Sequence, residues 1–214
     1  GAEKLAGLWT ASLKPYLDEW GCVSKPGRKK VACIGNSITE NYSLNMNDKY
    51  PAILQKYLGD EYIVKNFGLG MRTMLSKGDY PYIKEDKYQE ALAWQPDIVI
   101  VKLGTNDAKD YNWVYKNEFQ QNYIDFVNSF KSLASNPTIF ACYPLPVFPN
   151  NWIPIDSKVF TDEMIPMINN AANETGATLV DLRTPFLGKE FMTYDQVHPN
   201  YKGAMYMASL IGSK

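Results

Sequence analysis

The stretch Asp97-Ile-Val-Ile-Val-Lys-Leu103 constrains the fold more than any other part of this chain. It is a nearly unbroken apolar run, rich in β-branched residues and bounded by Pro96 and Gly104. A strand of that kind presents no face to water, so it belongs inside a parallel sheet covered on both sides. Four further runs read as strands: residues 31–34, 62–67, 138–143 and 178–182. Helical periodicity fills the gaps between them. Residues 48–58 gather Tyr50, Ile53, Leu54, Tyr57 and Leu58 on one face, and residues 115–134 carry a stripe of Phe119, Tyr123, Phe126, Val127 and Phe130. Residues 85–94, 161–175 and 201–211 complete an alternating strand–helix order. That alternation predicts an α/β fold, with one five-stranded parallel sheet and helices on both faces.

Residues 29–214 read as a single domain. Ahead of it, Leu5, Leu8, Trp9, Leu13, Tyr16 and Leu17 recur near helical spacing around Pro15, which predicts an N-terminal helical extension over 1–28 packed on that domain. With 22 basic and 23 acidic residues, the chain carries no charge footprint for nucleic acid or an anionic membrane. No run is long and apolar enough to span a bilayer. The three cysteines, Cys22, Cys33 and Cys142, form neither a disulfide framework nor a zinc spacing. The chain starts at Gly1 without an apolar leader. We read it as a trimmed mature form, secreted or periplasmic, with a cytoplasmic location as the alternative.

The chemistry-bearing residues sit just beyond strand ends. The first strand stops at Gly35, and Ser37 follows in Gly35-Asn-Ser-Ile-Thr39. Open α/β sheets present their binding crevice at such ends. Taken alone, Gly-Asn-Ser is ordinary turn chemistry. A serine nucleophile needs a base, and the base needs an acceptor to orient it. The sequence has a single histidine, His198, in Asp195-Gln-Val-His-Pro199, so if an imidazole activates Ser37 it is His198, with Asp195 three residues upstream and near enough in a tight turn to meet the ring. Pro199 is expected at the first position of the last helix, with His198 at the helix mouth. An acyl-transfer site also needs donors for an oxyanion. Asn106, in Gly104-Thr-Asn-Asp107, can offer its side-chain amide. Backbone N–H groups can come from Ser37 and from the turn Asn66-Phe-Gly-Leu-Gly-Met-Arg-Thr73, whose Gly68 and Gly70 read as positions of positive φ. Lys102, odd within its apolar strand, is expected to snorkel outward or to pair with a carboxylate.

These blocks resemble those of the SGNH, or GDSL-type, hydrolases over roughly residues 30–212: the serine block at Gly35, the glycine block from Asn66, Gly-Thr-Asn-Asp from Gly104, and Asp-x-x-His-Pro from Asp195. The resemblance implies a three-layer, flavodoxin-like α/β/α fold and ester hydrolysis without a metal or other cofactor. It carries over Ser37 as nucleophile, His198 as base, Asp195 as orienter and Asn106 as oxyanion donor. Two positions depart from the family pattern. Asn36 stands where the family usually has Asp. A gapless alignment puts the second glycine of the glycine block on Met71, so both Gly70 and Met71 stand as oxyanion donors.

The segment from Lys102 through Asn112-Trp113, and Cys142-Tyr-Pro through Asn151-Trp152, is similar to bacterial carbohydrate esterases of the sialate O-acetylesterase and acetylxylan esterase kinds. That likeness implies a small-molecule or glycan ester substrate, with O-acetyl groups on sugar as the ester and Trp113, Phe148 and Trp152 walling the sugar site. Two rival readings follow from the same residues. One is a lysophospholipase or thioesterase with a long acyl groove. The other is an inactive carbohydrate-binding relative in which Asn36 and Met71 mark decay.

Overall fold

The computed structural model describes residues 27–149 and 152–214. The N-terminal extension expected over 1–28 therefore lies almost wholly outside the described residues. The strands are β1 (Lys29–Gly35), β2 (Tyr62–Gly68), β3 (Ile98–Lys102), β4 (Thr138–Cys142) and β5 (Thr178–Val180). They form one five-stranded sheet in the order β2-β1-β3-β4-β5. Every neighbouring pair is parallel. The helices are α1 (Ser37–Glu40), α2 (Tyr50–Leu58), α3 (Asp86–Ala93), α4 (Asp110–Trp113), α5 (Phe119–Lys131), α6 (Ile165–Thr175) and α7 (Tyr201–Gly212). A π-helical turn, Phe160–Met164, leads into α6.

Strand alternation sorts the core into two layers. In β1, Ala32 and Ile34 join Val99 and Val101 of β3 on one face, packed against Phe119, Tyr123 and Phe130 of α5. Val31 and Cys33 point the other way and meet Tyr50 and Leu54 of α2 and Met207 and Ile211 of α7. The period of two in the strands thus produces three layers, helix on sheet on helix. The chain runs outward in opposite directions from β1, to β2 on one side and to β3 on the other, and a crevice opens where that order reverses. The turns after β1 and β3 flank the crevice.

Lys102 departs from its expected setting. Its side chain is fully buried and pairs with no carboxylate among the described residues; its ammonium donates to Thr105 Oγ1 at 3.1 Å and to Asn36 Oδ1 at 3.5 Å. Snorkelling fails because β3 is the central strand, with β1 and β4 on its flanks and helices over both faces. Burial pushes the Lys102 ammonium down to about 7.

Candidate active site

The serine turn is built by close approach. A Cβ added to Gly68 would lie 2.3 Å from the backbone nitrogen of Glu40, and one added to Gly35 would lie 2.0 Å from Thr39 Oγ1. Both glycines let α1 fold back against the strand ends. Neither Gly68 nor Gly70 has the positive φ expected of it; Met71 has it instead, at +67°. Asn36 caps α1, its Oδ1 accepting from the Ile38 N–H at 3.1 Å. Asn41 ends α1 in the left-handed region, and its Nδ2 donates to the Pro199 carbonyl at 2.9 Å. Through Asn41, the serine turn is tied directly to the histidine loop.

That loop is a tight, self-bonded turn. Thr193 and Pro199 form an antiparallel bridge, and the Tyr194 N–H donates to the His198 carbonyl at 3.1 Å. Gln196 takes a φ of +68° at the tip. Asp195 Oδ1 accepts from the N–H groups of Val197 at 3.1 Å and His198 at 2.7 Å. Its Oδ2 lies 2.7 Å from His198 Nδ1, and His198 Nε2 lies 2.7 Å from Ser37 Oγ. An ionised Asp195 accepts only, so Nδ1 carries the proton and Nε2 offers its lone pair to the serine hydroxyl. The rings of Tyr194 and Trp152 lie nearly parallel to the imidazole, at 5.6 Å and 5.9 Å between centroids. Pro199 does not occupy the first helical position. Asn200 caps α7 with its side chain on Gly203 N, which puts Pro199 one residue ahead of the cap.

The third wall comes from the glycine turn and the turn after β3. Asp107 is fully buried; its carboxylate accepts from Met74 N at 3.0 Å and Leu75 N at 2.7 Å, which clamps the two turns together. Burial raises this carboxyl to about 6 against the pull of its backbone donors. Asn106 Nδ2 gives one proton to the Arg72 carbonyl at 3.1 Å, and the Asn106 carbonyl is held by Asn112 Nδ2 at 2.9 Å. The Gly70 N–H donates to the Glu40 carboxylate. The N–H groups of Ser37 and Met71 donate to no acceptor among the described residues.

A cleft of about 420 Å³ lies over these groups, with Ser37, His198, Met71 and Asn106 at its floor. Trp152, Tyr42, Tyr111 and Tyr194 form its rim, and the buried Lys109 also lines it. Of the three aromatic residues expected at a sugar site, Trp152 alone lines the cleft. Trp113 packs on Phe119 at 5.4 Å and donates to Glu163, and Phe148 is 7% exposed beneath its loop. The sequence reading missed Tyr42, Tyr111 and Tyr194. Tyr111 had a usable signal. It lies two residues before Trp113 in α4, and residues two apart on a helix diverge by roughly 200°, so burying one turns the other outward.

The fold and the four convergent blocks define an SGNH-type hydrolase, and comparison with known proteins agrees. Residues 33–205 match the model of the GDSL-like lipase/acylhydrolase family, so the chain belongs to that family of carboxylic ester hydrolases. Among relatives, an acetylxylan esterase of Xylanibacter ruminicola is 41% identical over 204 residues, covering 86% of this chain. This chain spans 42% of that relative's length. Among solved structures, the acetyl xylan esterase AlAXEase superposes with a TM-score of 0.67 at 21% identity, over 86% of this chain and 98% of that one. Axe2, an acetylxylan esterase from Geobacillus stearothermophilus, superposes with a TM-score of 0.67 at 22% identity, over 88% and 94% of the two chains. At these identities the two structures speak for the fold.

Proposed function

We propose that this protein is an acetyl esterase that removes O-acetyl groups from carbohydrate. The observation that carries the reading is the chain of contacts from Ser37 Oγ through His198 to Asp195, each step 2.7 Å, lying under an open cleft. Ser37 Oγ attacks the acetyl carbonyl while its proton passes to His198 Nε2. Negative charge then develops on the carbonyl oxygen. The N–H groups of Ser37 and Met71 and the second proton of Asn106 Nδ2 receive that charge. Met71 is preferred to Gly70 as donor because the Gly70 N–H is already engaged by Glu40. The imidazolium returns its proton to the departing sugar oxygen, leaving acetyl on Ser37. Water, deprotonated by His198, attacks that ester and frees acetate.

The acetyl and carbohydrate parts of the reading draw on the acetylxylan esterase relative and on the aromatic rim, since flat rings with polar tips suit sugar faces. Acetate release from acetylated xylo-oligosaccharides, compared between wild type and Ser37→Ala, tests it. The expected result is release by the wild type and a loss of about a thousandfold or more in kcat for the variant. Inertness of the wild type toward these glycans, alongside rapid cleavage of long-chain acyl esters, would transfer the assignment to a lipid acyl hydrolase.

A further inference from the structure

Asn36 and Thr105 occupy matching places: each immediately precedes a residue of the proposed site, Ser37 and Asn106. Both accept from the same group, Lys102 Nζ, at 3.5 Å and 3.1 Å respectively. Lys102 and Asn36 lie beneath the cleft floor, whereas Thr105 is part of the cleft lining. Lys102 and Asn36 are fully buried, and Thr105 is nearly so. Pairing between β1 and β3 ends at Gly35 and Lys102. Beyond that point no backbone hydrogen bond joins residues 36–41 to residues 103–107. The ammonium is therefore a direct polar link between the two turns, beside the indirect one through the glycine turn, which bonds to Glu40 at Gly70 and to Asn106 at Arg72.

We propose that Lys102 is a positioning residue for this site, tying the turn that carries Ser37 to the turn that carries Asn106 and so setting the distance between nucleophile and oxyanion donor. The inference rests on the acyl-transfer reading above.

The chemistry around Asn36 supports it. Asn36 Oδ1 faces two donors, the Ile38 N–H and Lys102 Nζ, so the amide has one satisfactory orientation. Its Nδ2 has no partner, which is the cost of keeping the oxygen aimed at the lysine. This gives the departure from the family's aspartate a physical reason. Aspartate at position 36 would turn the tie into a buried ion pair and place a negative charge beside a nucleophile that must build negative charge on its substrate. Asparagine accepts the same hydrogen bonds without that charge. A buried ammonium with no carboxylate partner is unfavourable for folding, and an apolar side chain at position 102 would avoid that cost. The Cys142 thiol on β4, the titratable group facing the amine from that strand, offsets it only in small part.

The test uses Lys102→Met, which keeps length and removes the donor, together with Thr105→Val. Turnover of p-nitrophenyl acetate, the labelling rate of Ser37 by a fluorophosphonate, and thermal melting are measured for both variants and for wild type. The account predicts that Lys102→Met loses roughly tenfold to a hundredfold in kcat and in labelling rate, the scale of a small misplacement of reacting groups. KM stays nearly constant and the melting temperature does not fall. Thr105→Val moves the same way by less. Wild-type kcat and labelling in Lys102→Met would overturn the proposal, as would losses that simply follow a lower melting temperature. If Lys102→Met does not fold, Thr105→Val decides: slower labelling at an unchanged melting temperature supports the tie, and unchanged labelling overturns it. Ser37→Ala separates the two levels. Full activity in that variant would sink the acyl-transfer reading itself, whereas a dead Ser37→Ala beside a fully active Lys102→Met sinks the tie alone.

Discussion

The floor and the rim of the cleft are built in opposite ways. At the floor, most polar groups have assigned partners: Asp195 receives three hydrogen bonds, His198 is bonded at both ring nitrogens, and Asn106 is held through its side chain and its carbonyl, while the Ser37 and Met71 N–H groups are left without an acceptor among the described residues. Its residues come from the ends of β1 and β3, from the glycine turn after β2 and from one self-bonded loop. The rim consists of large rings on loops and on the short helix α4, with Tyr42 78% exposed and Tyr111 and Trp152 each 53% exposed. Rigidly held groups with a few aimed, unspent donors suit a reaction whose charges must be met without reorganisation. Exposed rings suit contact with a polymer that must slide on and off. On the proposed function, the difference separates what would set the rate constant from what would set recognition, and mutants of the two regions should divide accordingly.

Asn106→Ala should have the larger effect. It removes one oxyanion donor, and kcat for p-nitrophenyl acetate should fall about a hundredfold to a thousandfold with KM little changed. A fall of less than tenfold, read from initial rates at saturation, would mean that Asn106 is only a structural link to Arg72. Tyr111→Ala should have the smaller effect, and of the other kind. KM for an acetylated xylo-oligosaccharide should rise about threefold to tenfold, the value of one ring contact, while turnover of p-nitrophenyl acetate holds. A Tyr111→Ala variant that loses kcat on the small ester would erase the division between floor and rim.

The same division governs what the sequence could reveal. The strands were legible because burial on both faces leaves an apolar run that any reader can find, and the expected and observed boundaries differ by at most two residues. The convergence at the floor was legible because its residues follow strand ends closely and because a single histidine left no choice of which imidazole could meet Ser37. Direction was harder to read. Trp113 and Phe148 looked like sugar platforms and are packed inside, while Tyr42 and Tyr194 line the cleft from loops with no periodic signal. A loop ring points where its neighbours leave room, and those neighbours are distant in sequence. Pro199 was misplaced by two residues because the side chain of Asn200, not Pro199, starts α7. The misreading of Lys102 has the same root. Its two acceptors come from two different turns, so its burial could not be inferred from β3 alone.

Peptide mass mapping after rapid acid quench of the enzyme with p-nitrophenyl acetate tests the central claim most directly. The account predicts an added acetyl group on the peptide that contains Ser37, absent from Ser37→Ala. Steady turnover with acetyl on a different residue, or turnover that persists in Ser37→Ala, would contradict it.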